Sequence, residues 1–433
     1  MKRTLYIAIA ALMVAPSAAF AQNDKKEAVK DHLENHFKVY GFVRNYFAFD
    51  TRESTAGTGD LYYYMPKDES WNFPSEEAAK LAGGERQDLN AIPSFRYLSL
   101  TSRVGMDITG YEIKGYKIGG KIEADFYAGI SGVTGTAQLR LRQAYATVAK
   151  DWRKWTLGQA WHPMAADLPD IFSLESAAPF GPFSRTPQVT ADFSLGKGFS
   201  LTASLIWQMQ YTSTGPDGAS ANYIKYSCTP ETYLGFNFKN DNLTFRLGGE
   251  ILSIKPRNFL EKGGIKYKTN DRLTTWNVFF YGQEKAGNFL FKEKLTYAND
   301  GSHMNLVGGY GVSAINADGS WDYAATRNFS GWVTATFKKS KTWQPQILFG
   351  YNKEFGTSKA IVGDFWCKNS ANSVNQMYRI QPEILYNLGK LQFGLEYMMT
   401  SVQYGKANEL KLATDNLHWV TNHRVQAMIK FNF

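Results

Sequence analysis

The chain has 433 residues, of which 44% are hydrophobic, 15% aromatic and 20% charged, and its formal net charge at pH 7 is +9. Its 25 Tyr, 29 Phe, 11 Trp and 38 Gly favour a β-rich protein, since aromatic residues suit strands and glycine suits tight turns. The positive charge forms no basic block, so a nucleic-acid partner is unsupported. The two cysteines, Cys228 and Cys367, exclude a disulfide framework and leave open whether they pair with each other.

The first 21 residues have the pattern of a secretory signal peptide. Two basic residues precede an apolar stretch over 5–15, and a small-residue end of the A-x-A type follows over 19–21. A retained membrane anchor is the alternative, and the shortness of the apolar stretch argues against it. We therefore expect a cleaved signal peptide over 1–21 and an exported mature chain.

Period-two alternation runs through the mature chain. Over 98–108, for example, Val104 and Met106 lie on one face, whereas Arg103 and Asp107 lie on the other. The same pattern recurs over 116–128, 199–211 and 243–252. In a soluble sandwich such apolar faces meet in a core, whereas in a transmembrane barrel they contact lipid and the polar faces line water.

The spacing of these segments separates the two cases. The predicted strands lie near 37–49, 95–108, 116–128, 139–148, 155–161, 188–195, 199–211, 232–238, 243–252, 273–281, 289–297, 328–338, 343–352, 376–386, 391–402 and 418–433. Short turns alternate with long connections, and the latter include 50–94, 162–187, 212–231, 253–272, 298–327 and 353–375. This pattern predicts an all-β fold, a transmembrane antiparallel β-barrel of about 16 strands with short periplasmic turns and long outer loops. We expect this outer-membrane β-barrel over 37–433, after a short periplasmic N-terminal segment over 22–36.

The end of the chain agrees with this prediction. Val425, Ile429 and Phe433 share the apolar face of the last segment, while Arg424 lies on the other face. Such a strand closes a barrel, with aromatic rings at the membrane interface. It also resembles the carboxyl-terminal signal of bacterial barrels, so we expect contact with the barrel assembly machinery through Phe433 and with outer-membrane lipid.

Three runs carry a resemblance to a known family: Phe95–Gly105, Leu139–Ala146 and Trp155–Trp161. They resemble strands of the Gram-negative general porins, and within these they are most similar to the DcaP-like trimeric porins. The resemblance covers most of the mature chain as topology, with sharp matches confined to about 95–165. It implies a homotrimer in the cell outer membrane of a Gram-negative bacterium that passes small anionic or polar solutes, such as dicarboxylates. Because the predicted outer loop 129–138 is short, association would rest on apolar barrel wall.

In porins the loop after the fifth strand folds inward, so the resemblance places three acidic residues of 162–187 in the lumen: Asp167, Asp170 and Glu175. Basic residues on the polar faces of neighbouring strands would form the opposite wall: Arg44, Arg103, Lys121, Arg140, Arg142 and Arg424. Such an arrangement creates a transverse field that orients polar solutes. The alternative for any single arginine is a solvated strand residue paired with a nearby carboxylate. Arg140 and Arg142 are the strongest candidates.

We expect a passive diffusion channel for small hydrophilic solutes that favours organic anions, and not an enzyme. The alternatives are a barrel lipase or protease, disfavoured because such enzymes use narrower barrels, and an adhesin that acts through its loops. Catalytic and phosphate-binding motifs are missing from the sequence, and we expect no cofactor. His32 and His36 have a spacing that suits a metal, but two solvated histidines are the preferred interpretation, so no metal site is predicted.

Overall fold

The computed structural model describes residues 35–57, 62–99, 101–128 and 137–433. The predicted signal peptide, His32 and most of the predicted loop 129–138 lie outside the described residues. Within them, no helix is long and apolar enough to cross a membrane.

The described chain is almost entirely β-structure. In chain order the strands are β1 (Phe37–Asp50), β2 (Ser54–Gly57), β3 (Tyr62–Pro66), β4 (Ser94–Leu98), β5 (Arg103–Ile113), β6 (Tyr116–Ala128), β7 (Ala137–Lys150), β8 (Arg153–Trp161), β9 (Arg185–Gly196), β10 (Phe199–Ile206), β11 (Glu231–Lys239), β12 (Leu243–Ile254), β13 (Phe259–Lys262), β14 (Ile265–Lys268), β15 (Leu273–Ala286), β16 (Phe289–Asn299), β17 (Gly308–Ile315), β18 (Trp321–Phe337), β19 (Trp343–Thr357), β20 (Phe365–Lys368), β21 (Val374–Leu388), β22 (Leu391–Ala407) and β23 (Ala413–Asn432). Two short helices, α1 (Glu76–Leu81) and α2 (Asn222–Ser227), and a 3-10 turn (Ser302–Met304) lie in loops.

The strands close into an antiparallel barrel with 16 strand positions among the described residues. β4 and β5 both pair with β1 and together occupy one strand position. β1 also pairs with β23, where Arg44 lies opposite Lys430 and Asp50 opposite Arg424. β2–β3 and β13–β14 are separate hairpins, while β17 and β20 extend the sheet beside β18. The predicted strand number and barrel closure are therefore confirmed.

The two rims of the barrel differ in the length of their connections. At one rim, the short-turn rim, two residues join β5 to β6, and both Lys114 (φ 53°) and Gly115 (φ 78°) have positive φ. This is the backbone of a two-residue hairpin whose twist matches that of the strands. At the other rim, the long-loop rim, 207–230 joins β10 to β11 and 358–373 joins β19 to β21.

The barrel has an apolar outside and a polar inside. Large apolar side chains on the outer face are well exposed, among them Leu139 at 66% and Ile251 at 59%. Their neighbours on the inner face are buried and polar, such as Asp125 and Glu250. A continuous exposed apolar surface of this kind suits contact with lipid. The alternation in the sequence thus predicted which side chains face outward.

Residues 162–184, here called the inward loop, fold into the barrel between β8 and β9. Met164 and Phe180 of this loop are fully buried. They pack in a cluster with inward side chains of the wall, including Trp332 and Leu348. The core of the protein therefore lies inside the barrel, and the inward loop is built into it.

Candidate functional site: a basic cavity beside the inward loop

A cavity of about 250 Å³ lies between the inward loop and the wall formed by β1 and β5–β7. The wall side carries four arginines and two carboxylates: Arg44, Arg103, Arg140, Arg142, Glu123 and Asp125. The strands position them by alternation, since residues two apart on β6 or β7 share the inner face. The structure thus brings together four of the six basic residues singled out from the sequence.

Two carboxylates of β6 hold the guanidinium groups of β7 in place. Arg140 donates to both oxygens of Asp125, from Nε at 2.9 Å and from Nη2 at 2.9 Å. Arg142 donates to Glu123 at 2.7 Å and to Asp125 at 2.6 Å. Arg103 lies 3.6 Å from Glu123. Such paired, charge-assisted hydrogen bonds fix the planar forks of the arginines toward the cavity.

Arg44 is held differently from the other three arginines. Its guanidinium donates to Thr101 Oγ1 at 3.2 and 3.0 Å and stacks on the ring of Phe42, 4.9 Å from the centroid. Within the described part of the chain it makes no ion pair with a carboxylate. Its positive charge therefore remains uncompensated at the cavity.

The charges that line the cavity do not cancel. Four guanidinium groups face two carboxylates, which leaves two net positive charges. Arg185, at the start of β9, is 1% exposed, and its guanidinium lies 4.5 Å from the centroid of the Trp161 ring, which also lines the cavity. Among the described residues its Nη1 and Nη2 have no hydrogen-bond partner. Arg185 falls within the predicted connection 162–187 and not within a predicted strand, so alternation did not reveal it.

The loop side of the cavity differs from the sequence-based expectation. It presents mainly apolar and hydroxyl side chains: Leu168, Ile171, Phe172, Ser173, Leu174 and Ser176. The predicted acids pair with basic residues elsewhere on the wall: Asp167 with Arg246 at 3.0 Å, Asp170 with Lys292 at 2.6 Å, and Glu175 with Arg379 at 3.8 Å. The predicted arrangement, with an acidic loop facing a basic wall, is therefore wrong for this cavity. Burial explains the difference, because a neighbouring basic residue offsets the cost of removing a carboxylate from water.

The remaining two basic residues do not line this cavity. The Lys121 ammonium lies 2.8 Å from Asp107 and donates to Tyr40. Arg424 is buried beneath the ring of Tyr63 and lies 3.7 Å from Asp50. Their positions on the inner face agree with the alternation, but their heights along the barrel axis separate them from the arginine cluster.

A second cavity of about 270 Å³ adjoins the first, and the two share Gln143 and Trp161 in their linings. Its charged lining residues are Lys154, Arg246 and Asp192. Because Arg246 is paired with Asp167, and Lys154 and Asp192 have opposite charges, this space adds no net positive charge to that of the first cavity.

Hydrogen bonds to several strands of the barrel wall, among them β1, β16 and β21, anchor the inward loop. The backbone N–H of Phe172 donates to Glu383 at 2.9 Å, and its carbonyl accepts from Tyr46 at 2.6 Å. Lys294 donates to the carbonyl of Met164 at 2.9 Å. The loop therefore crosses the lumen as a fixed partition, with its acids turned to one wall and its apolar face to the arginines.

A second cluster of titratable groups lies where the inward loop begins. His162 Nε2 is 2.5 Å from Glu231 and 3.1 Å from Glu250, and His303 Nε2 is 2.8 Å from Glu250. Burial lowers the pKa of His162, but the charges and hydrogen bonds of the two carboxylates outweigh it and raise the pKa to about 10. These residues could hold a cation. Four separate segments supply them, so no spacing in the sequence revealed them.

Three features define the porin class of fold: a closed 16-stranded antiparallel barrel, an inward loop after the fifth strand position, and one short-turn rim. Solved structures with this fold include DcaP, an outer membrane channel of Acinetobacter baumannii, at a TM-score of 0.64 and 18% identity over 92% of this chain and 97% of that one. An anion-selective porin from Comamonas acidovorans matches at a TM-score of 0.53 and 12% identity, over 92% of this chain and 99% of that one. OmpF of Salmonella typhi matches at a TM-score of 0.51 and 11% identity, over 92% of this chain and 98% of that one.

These similarities establish the fold of the chain as that of Gram-negative porins, including DcaP. No protein-family model matches the sequence, and no curated protein does.

Proposed function

We propose that the protein is an outer-membrane channel for the passive diffusion of small hydrophilic solutes and that it favours anions. The observation that carries this proposal is the cavity beside the inward loop, where four guanidinium groups face only two carboxylates. Fixed charges of one sign in a low-dielectric passage raise the local concentration of ions of the other sign. The uncompensated Arg44 and the partnerless nitrogens of Arg185 strengthen this field.

The same cluster supports a preference for organic anions such as dicarboxylates. Guanidinium groups bind carboxylates through two parallel hydrogen bonds, and several forks converge on one small space here. The apolar loop face opposite, with Leu168 and Ile171, suits the carbon chain between two carboxylates. The porin from Comamonas acidovorans, which has the same fold, is anion-selective, and this agrees with the proposal.

We further propose that the mature protein begins at position 22, is assembled through its closing strand and forms a homotrimer. The exposed apolar wall around Leu139 suits contact between copies, and the fold is that of outer-membrane porins. Mass spectrometry of the purified protein tests the cleavage site. Light scattering of the detergent-solubilised protein tests the trimer, and a monomer of intact fold would contradict it.

The decisive experiment is the reversal potential of the channel in a planar bilayer under a KCl gradient. The reversal potential of the wild type should have the sign expected for a channel that passes chloride in preference to potassium. Arg140→Ala with Arg142→Ala removes two positive charges and leaves two arginines facing two carboxylates, so the anion preference should fall. A matched control, Lys339→Ala with Lys341→Ala in a short turn, removes the same charge outside the cavity and should change the potential little. A folded protein that never conducts, or one that prefers cations, would refute the proposal.

A further inference from the structure

We propose that His162, Glu231 and Glu250 form a Zn²⁺ site that fixes the start of the inward loop, with His303 as a neighbour of its carboxylates. His162 is the first residue of that loop, and Glu231 is the first residue of β11. Glu250 lies on the inner face of β12, and His303 lies in the 3-10 turn after β16. One ion at this point would join three segments that are distant in sequence.

Three donor atoms have a spacing close to that of metal ligands. Ligand atoms of His162, Glu231 and Glu250 all lie within 4.8 Å of one another. His162 Nε2 lies 2.5 Å from Glu231 Oε1 and 3.1 Å from Glu250 Oε2. A tetrahedral zinc with bonds of about 2.0–2.2 Å to nitrogen and oxygen holds its ligand atoms about 3.3–3.5 Å apart. A shift of a few tenths of an ångström in the second contact, and of about 1 Å in the first, would admit the ion, with a water as the fourth ligand.

Burial and negative charge favour the binding of a cation by this cluster. All four side chains are at most 2% exposed, and neither Glu231 Oε2 nor Glu250 Oε2 accepts a hydrogen bond. Two carboxylates without a lysine or arginine partner are costly in such a place. Either two protons on the histidines or one divalent ion would balance their charge.

The number of protons on Nδ1 of His162 does not distinguish the protonated side chain from the metal-bound one. Its Nδ1 accepts a hydrogen bond from the backbone N–H of Met164 at 3.2 Å. A protonated imidazolium and a neutral imidazole that binds metal through Nε2 both carry a proton on Nδ1. In either case the Met164 N–H must turn to another acceptor, so a small rearrangement over 162–164 belongs to the proposal.

The donor set selects the metal. One imidazole nitrogen and two carboxylate oxygens, with a water as the fourth ligand, suit Zn²⁺, whereas Ca²⁺ and Mg²⁺ prefer six or more oxygen ligands. Asn277 Nδ2 donates to Glu250 Oε1 at 2.5 Å, which orients that carboxylate as outer partners of metal ligands do. The ion would hold the inward loop against β11 and β12, and so set the position of the partition across the lumen.

The experiment uses tag-free protein in detergent, treated with EDTA, dialysed and then titrated with Zn²⁺ alone. The expected result is one zinc per chain and a higher melting temperature. Titration with Co²⁺ instead should produce the visible absorption of a tetrahedral ion. A folded wild type that binds neither metal stoichiometrically overturns the proposal, whether or not the protein conducts ions.

Variants locate the ion. Glu231→Gln with Glu250→Gln should abolish stoichiometric binding, and Asn277→Ala should weaken it about 10–100-fold. The matched control is His418→Gln, because His418 Nε2 also contacts a carboxylate, Asp68 at 2.7 Å, but lies outside the cluster. Its zinc stoichiometry should equal that of the wild type. Binding that survives the double glutamine substitution in a folded barrel would place the metal elsewhere and refute this site.

Discussion

The ring of Phe180 in the inward loop rests directly on Gly350 of β19. A Cβ atom at position 350 would lie 2.7 Å from Phe180 Cγ, closer than carbon atoms approach one another. The Phe180 ring is fully buried and lies 5.0 Å from the guanidinium carbon of Arg379. The missing side chain of one wall residue therefore determines how far the loop can cross the lumen.

Gly350→Leu should expel Phe180 from this position and widen the passage beside the inward loop. We expect a higher single-channel conductance in planar bilayers, because the obstructing loop can no longer pack on the wall. Combining Gly350→Leu with Phe180→Ala makes room for the new side chain and should return the conductance toward that of the wild type. An unchanged conductance in a folded Gly350→Leu barrel would contradict this account.

Glu175 and Arg379 form the buried ion pair of the inward loop, with the two side chains 2% and 0% exposed. Glu175→Gln leaves the Arg379 charge buried beside a neutral amide. Breaking a buried pair in this way typically costs about 3–5 kcal/mol. We expect the loop to open more often, measured as faster hydrogen exchange over 164–180.

Removing both charges together, as Glu175→Gln with Arg379→Met, should cost less than removing the carboxylate alone. Glu284→Gln, near the short-turn rim, is the control and should leave exchange in the loop unchanged. Equal exchange rates in Glu175→Gln and the wild type would show that the pair does not hold the loop.

Most of the barrel was predictable from the sequence because its organising signal is local. Alternation with period two fixes which face each residue occupies, and this rule placed Glu123 and Asp125 of β6 on the inner face beside Arg140 and Arg142 of β7. Short and long connections then separated the two rims. Alternation and strand order predicted six basic residues on the inner face, and packing inside the barrel decides that four of them line one cavity.

What the sequence did not predict depends on packing within the lumen. Arg246, Lys292 and Arg379 decide where the acids of the inward loop point, and these three residues lie on strands far along the chain. The contact of His162 with Glu250 likewise depends on how the inward loop folds into the barrel. Neither relationship leaves a spacing signal, since the partners are separated by more than 70 residues.

Lys368, the last residue of β20, gives the paired strands β17 and β20 a pH dependence. Its ammonium donates to the carbonyl of Ser302 at 3.3 Å and lies 4.3 Å from the centroid of the Tyr211 ring. Burial lowers the pKa of Lys368 to about 7, and the charge of Asp300 offsets only part of this effect. Between pH of about 7 and 10 the unfolded chain holds a proton that the folded chain releases, so stability should rise with pH in this window.

Lys368→Met removes this titration. Its melting temperature in detergent, followed by tryptophan fluorescence at pH 7, 8.5 and 10, should rise less with pH than that of the wild type. At pH 7 the variant should be the more stable of the two, because it has no charge to bury. Parallel pH profiles of the two proteins would refute the prediction.

Asp125 limits the positive charge of the cavity, because its carboxylate accepts hydrogen bonds from both Arg140 and Arg142. Asp125→Asn raises the net charge of the lining from two positive charges to three. The reversal potential under a KCl gradient should therefore move further toward the chloride limit, since a stronger positive field admits more anions. Asp107→Asn is the matched control, because Asp107 pairs with Lys121 outside this cavity and its loss should change the potential less. A shift toward cations in Asp125→Asn, or equal shifts in both variants, would show that the arginine cavity does not set the ion preference.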